Sequence, residues 1–232
     1  MPLFKRLPLL ALFLFSIIIT AHSQNTQRPS IGNVEELDPA LRSIINKEAP
    51  IQIIAEGFDW SEGPLWIEKY QMLLFSDVPK NIIYKWTANK GKEVYLTPSG
   101  YTSATPRGGE TGSNGLLLND KGHLVLCQHG DRRMALMNAP LNKPAPVFVS
   151  LAAGYKGKKF DSPNDAVYHK NGELYFTDPP YGLEKNVDDK NKEAPYQGIY
   201  KVSKKLPAHC RLQPYDTKSR RYRRPFIEQS LV

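Results

Sequence analysis

The sequence predicts an all-β fold of the β-propeller type, and three observations carry that expectation. First, one pattern recurs three times at near-constant spacing: Ser61-Glu62-Gly63-Pro64, Gly112-Ser113-Asn114-Gly115 and Ser162-Pro163-Asn164-Asp165. Glu62 and Asn114 are 52 positions apart, and Asn114 and Asn164 are 50 apart. Second, each opening is followed by an apolar strand-like run, a turn and a second such run. Third, a period near 50 with several short strands per repeat is how propeller blades read in sequence. Each blade sends its innermost strand toward a common axis, so equivalent residues of successive blades can converge there.

The elements follow in order. Lys5 and Arg6, the apolar stretch from Leu7 to Thr20 and the small-residue site Ala21-His22-Ser23 read as a signal peptide over residues 1–23. The alternative, an uncleaved membrane anchor, needs a longer apolar span. The chain is therefore expected to be periplasmic or secreted, with no stable membrane anchor after cleavage. Residues 24–48 form a polar lead with one short helix, in which Asp38 caps Pro39-Ala40-Leu41-Arg42-Ser43-Ile44-Ile45.

Residues 49–204 carry the propeller pattern. Ile51-Gln52-Ile53-Ile54 leads into the first repeat, whose strands are expected at Pro64–Ile67, Met72–Phe75, Asn81–Trp86 and Glu93–Leu96. A Gly-, Thr- and Ser-rich loop holding Arg107 separates it from the second. There the strands fall at Leu116–Leu118, His123–Cys127, Arg133–Met137 and Pro146–Val149. The third repeat takes Ala166–His169, Glu173–Phe176 and Gly198–Val202, with a charged loop between Leu183 and Gln197.

After Lys204 neither helical nor alternating periodicity continues, and residues 205–232 read as an atypical basic tail. The expectation at this point is an incomplete ring of about three blades, with a frameshift near Lys204 that leaves this product poorly folded and poorly active. The charge agrees in part. The net charge is +8, but residues 1–200 hold 22 basic and 21 acidic residues, so the excess sits in the tail. A basic nucleic-acid-binding face on the main body is therefore excluded. The two cysteines do not suggest a disulfide framework, and Cys127 reads as a buried, inert thiol.

Taken singly, Glu62, Asn114 and Asn164 are ordinary turn residues. At equivalent positions of three repeats they form one carboxylate and two carboxamides. Such a hard, oxygen-only set suits Ca²⁺, or another divalent cation such as Mg²⁺, better than Zn²⁺.

With Trp60-Ser61-Glu62-Gly63-Pro64, Gly112-Ser113-Asn114-Gly115-Leu116, Cys127-Gln128-His129-Gly130-Asp131-Arg132-Arg133, Ser162-Pro163-Asn164-Asp165 and Phe176-Thr177-Asp178-Pro179-Pro180-Tyr181-Gly182-Leu183, the chain resembles the gluconolactonase/regucalcin (senescence marker protein) family, in its exported bacterial branch. The resemblance spans roughly residues 50–203. It implies a six-bladed propeller with one divalent cation on its axis, hydrolysing sugar lactones or related esters. By position it implies Glu62 and Asn164 as metal ligands and Asn114 as a substrate or metal contact. Arg107 resembles the family's substrate-binding arginine loosely. His129 is open between a proton shuttle and a loop-bonded structural residue, and Asp178 between a second cation ligand and a turn cap. The aspartate that the family uses as base lies in a later blade, in a segment unlike anything after Lys204. The alternative reading is a non-catalytic calcium-binding module.

Overall fold

The computed structural model describes residues 28–203 and the backbone of Cys210–Gln213. The expected signal peptide and most of the basic tail lie outside the described residues. The chain divides into two compact units, residues 1–53 and 54–232.

In the first unit the expected short helix is a 3₁₀ turn over Pro39–Ser43, with Asp38 Oδ1 accepting from the Ala40 N–H at 2.8 Å. Ile51–Ile54 does not form a sheet strand as expected. It makes an isolated antiparallel bridge, Ser30 to Gln52, flanked by bonds from Ile31 N–H to Ile51 and from Ile53 N–H to Pro29.

The second unit is all β. Its first sheet has the order β1 (Ser61–Ile67), β2 (Met72–Asp77), β3 (Ile82–Thr87) and β4 (Gly91–Leu96). The second has β5 (Ser113–Leu118), β6 (Leu124–Gln128), β7 (Arg133–Met137) and β8 (Phe148–Ala152). A small hairpin, β9 (Gly154–Tyr155) with β10 (Lys158–Lys159), precedes the third sheet. That sheet has β11 (Ala166–Tyr168), β12 (Leu174–Asp178), β13 (Gly198–Val202) and β14 (Cys210–Gln213). All pairings are antiparallel, and each sheet is a meander in chain order. This is blade architecture.

β14 was not expected. Its backbone pairs with β13 from Ile199–Gln213 to Val202–Cys210, so the strand pattern does not end at Lys204. An outermost strand is specified by backbone hydrogen bonds to its one neighbour, and needs no alternation of its own.

The middle sheet shows why the three stack. Every residue of β6 is buried. Leu124 and Leu126 face Ile67, Met72, Leu74 and Ile83 of the first sheet, whereas Val125 and Cys127 face Phe160, Leu174, Phe176 and Tyr200 around the third. Successive side chains of a strand point to opposite faces, so a continuous apolar run is covered on both. Phe160, Phe176 and Tyr200 form an aromatic cluster with centroids 4.7–5.3 Å apart. Cys127 is free, and burial pushes its thiol well up, as expected of an inert core residue.

The loop between Leu183 and Gln197 is less solvated than its charge suggests. Lys192 Nζ sits 2.5 Å from the buried Asp161 Oδ2, and Arg132 Nη1 donates to Asn191 O at 2.9 Å.

Candidate functional site

The three equivalent residues converge. Glu62, Asn114 and Asn164 line one cavity of about 290 Å³ together with Gly63, Pro64, Gly115, Leu116 and Asp165. Each comes from the innermost strand of its sheet or from the turn leading into it, and β5 lies between β1 and β11.

Glycines set that approach. A β-bulge between Glu62 and Leu65 places Gly63 at φ +58°, and a Cβ there would lie 2.3 Å from the Asn114 carbonyl oxygen. The same device recurs one sheet on. A bulge between Ser113 and Leu116 holds Gly115, where a Cβ would lie 2.8 Å from the Asn164 carbonyl oxygen. The glycines after Glu62 and Asn114 thus each pack on the backbone of the next candidate ligand. Gly115 N–H also donates to Asn164 O at 2.8 Å, and Ser76 Oγ donates to Asn114 O at 2.9 Å.

These bonds engage the backbone carbonyls of the two asparagines. Trp60 Nε1 donates to Glu62 Oε1 at 3.0 Å. In the third sheet the slot of Gly63 and Gly115 is taken by Asp165, which adds a second carboxylate to the cavity wall. Its Oδ1 accepts from the Ala166 N–H at 2.8 Å. Sequence reasoning missed this residue. The signal that could have found it is the departure from glycine at that slot of the third repeat. Among the described residues no three His, Cys, Asp or Glu side chains cluster. The donors are instead mixed carboxylate and carboxamide oxygens, a set that fits a hard divalent cation.

The other candidates do not line the cavity. Arg107 holds a loop: its Nη1 donates to Gly182 O at 2.8 Å and its Nη2 to Gly130 O at 3.2 Å, and Tyr101 lies under the guanidinium. His129 is fully buried, with Nδ1 3.2 Å from Glu110 Oε2, outside hydrogen-bond geometry. Its neighbour is thus the Gly100–Gly112 loop and not the cavity.

Asp178 is buried at the end of β12, where Oδ2 accepts from Asp161 N–H at 2.9 Å and Oδ1 from Ser162 N–H at 2.8 Å. Asp77 does the same in the first sheet, accepting from Asp59 and Trp60. Both aspartates clamp the turn that leads into a candidate ligand, which is the capping alternative.

Burial pushes the Asp178 carboxyl up to about 7, against the pull of the two N–H donors and with added repulsion from Asp161. A carboxyl whose folded pKa is raised keeps a proton that the unfolded chain releases. Its contribution to stability is complete below about pH 4 and is lost as the pH rises through about 7. The unfolding free energy of the parent should therefore fall between pH 4 and 7 by a component that Asp178→Asn lacks. Urea titrations across that range measure the difference in slope, and equal slopes would rule the coupling out.

Comparison with known proteins shows the family and the fold. The family model described as SMP-30/Gluconolactonase/LRE-like region matches residues 60–218, which extends past Lys204. A gluconolactonase of Zymomonas mobilis is 39% identical over 186 residues, covering 79% of this chain and 51% of that protein. The solved structure of a Xanthomonas campestris gluconolactonase superposes with a TM-score of 0.61 at 25% identity, covering 81% of this chain and 60% of the other. The chain spans about half the length of the curated relative it matches.

Proposed function

The chain belongs to the SMP-30/gluconolactonase/LRE-like family, and from that premise we propose that it serves a divalent-cation-dependent hydrolase of sugar lactones. The observation that carries this reading is the meeting of Glu62, Asn114 and Asn164, from three successive sheets, on one cavity. Glu62 and Asn164 would hold the cation, Ca²⁺ or Mg²⁺, which when bound supplies Lewis-acid polarisation of the lactone carbonyl.

The chain's own residues do the rest. Asn114, a buried residue of the cavity wall, would orient the substrate oxygens. Asp165 takes the proton of the attacking water. The water oxygen bonds to the acyl carbon, the ring C–O bond breaks, and the ring oxygen takes the proton from Asp165 and leaves as a hydroxyl of the open acid, whose carboxyl then releases its own proton to solvent. Export to the periplasm or medium is part of the proposal, supported by Lys5, Arg6 and the apolar run after them. N-terminal sequencing of the exported protein should begin at Gln24.

The test is proton release from glucono-1,5-lactone by the full chain. Turnover above the spontaneous rate is expected, lost with EDTA and restored by calcium. Calcium-dependent stabilisation without turnover would point instead to a binding module. Asp165→Asn should lower kcat by about 100-fold, the lower end of general acid–base contributions, while isothermal titration still detects calcium binding. Unchanged kcat in that variant would remove Asp165 from the mechanism.

A further inference from the structure

Two residues before Glu62, Trp60 is fixed at its backbone. Its C=O accepts from Val78 N–H at 3.1 Å and its N–H donates to Asp77 Oδ1 at 3.2 Å, so its Cα is pinned on both sides. Trp60 is 56% exposed, which is too open for a residue whose task is core packing. What its side chain does reach is a cavity carboxylate: Nε1 donates to Glu62 Oε1 at 3.0 Å.

We propose that Trp60 is a positioning residue for the cation site, its indole N–H holding Glu62 Oε1 so that Oε2 is the oxygen presented to the cation. The assignment rests on the cation reading of the cavity given above. The physical ground is general. A carboxylate on two χ-bonds beyond Cβ samples many orientations, and a fixed donor on one oxygen selects among them. It also makes Glu62 a one-oxygen ligand, since the second oxygen already carries a hydrogen bond. Outer partners of metal-binding carboxylates typically contribute 10–100-fold to affinity. The half-exposed position of this pair places the effect near the lower end, about tenfold.

The experiment is calcium titration of the full chain and of Trp60→Phe by calorimetry, with tryptophan emission and thermal unfolding alongside. Phenylalanine keeps an aromatic ring and loses the N–H. The expected result is calcium affinity about tenfold weaker in Trp60→Phe, with an unchanged calcium-free unfolding midpoint. A calcium-induced change in emission should also be present in the parent and lost in the variant. Parent-like affinity in Trp60→Phe overturns the positioning role and leaves the cation reading standing. A weaker affinity accompanied by a lowered calcium-free midpoint overturns it too, because the residue is then structural. No calcium binding by the parent removes the cation reading itself, and the proposal with it.

Discussion

Glu62→Gln is expected to weaken calcium binding by at least about 100-fold, beyond the range of outer-partner effects, and to reduce lactone turnover to the spontaneous rate. The substitution keeps the side chain's length and shape, and the new carboxamide oxygen can still accept from Trp60 Nε1. What it removes is the charge. Asn114 and Asn164 are neutral, so Glu62 is the carboxylate at the repeated ligand position, and Asp165 alone does not replace it there. The fold should tolerate the change within about 0.5 kcal/mol, because Glu62 is half-buried and takes no part in the two core clusters. A thermodynamic signature accompanies the loss. Calcium at 100 times its Kd stabilises a one-site protein by about 2.7 kcal/mol. The parent should show that gain in urea unfolding, and Glu62→Gln should show no more than about 0.4 kcal/mol at the same concentration. Parent-like calcium stabilisation in the variant would place the cation elsewhere.

The convergence of Glu62, Asn114 and Asn164 was legible in the sequence because a repeat carries its own geometry. Equal spacing from one ligand position to the next implies equal places in equal units, without knowledge of any contact. Most strands were legible for a related reason: Gly- and Asn-bearing turns bound short apolar runs, and the double-sided burial of β6 writes a continuous apolar segment, Leu124 to Cys127. The uses of Arg107, His129 and Asp178 were not. His129 is placed by burial, with neither ring nitrogen hydrogen-bonded. Arg107 and Asp178 are fixed by partners from elsewhere in the chain, as Arg107 is by Gly182, 75 positions away, and local spacing holds no trace of that bond. Lys192 reaching Asp161 across 31 positions turns an apparently solvated loop into a buried ion pair in the same way. Asp165 was missed for a different reason. It stands where the other two repeats hold glycine, Gly63 and Gly115, so the repeat itself assigns that slot no ligand.

That slot supplies the largest expected effect on stability. Gly63→Ala should destabilise the protein by about 2–5 kcal/mol, adding about 1–2 for a left-handed non-glycine residue to about 1–3 for overpacking. The added methyl meets the Asn114 carbonyl oxygen at 2.3 Å, with Asn114 C and Gly115 Cα at 3.0 Å. All three are backbone atoms, so no side-chain rotation relieves the contact, and the two sheets must separate. Gly122→Ala is the control. Gly122 has φ +75° in the turn between β5 and β6, but a Cβ there has nothing within 4 Å. It carries the backbone strain without the contact, and should cost only the first component, about 1–2 kcal/mol. The difference between the two urea midpoints, at equal m-values, isolates the close approach of the sheets. If Gly63→Ala escapes by moving β1 away from β5, Glu62 moves away from Asn114, and calcium affinity falls along with stability. A Gly63→Ala variant no less stable than Gly122→Ala would show that the sheets are not held together at this point. The glycine would then be a feature of the turn alone, and the pairing of ligand with glycine in successive repeats would lose its physical reason.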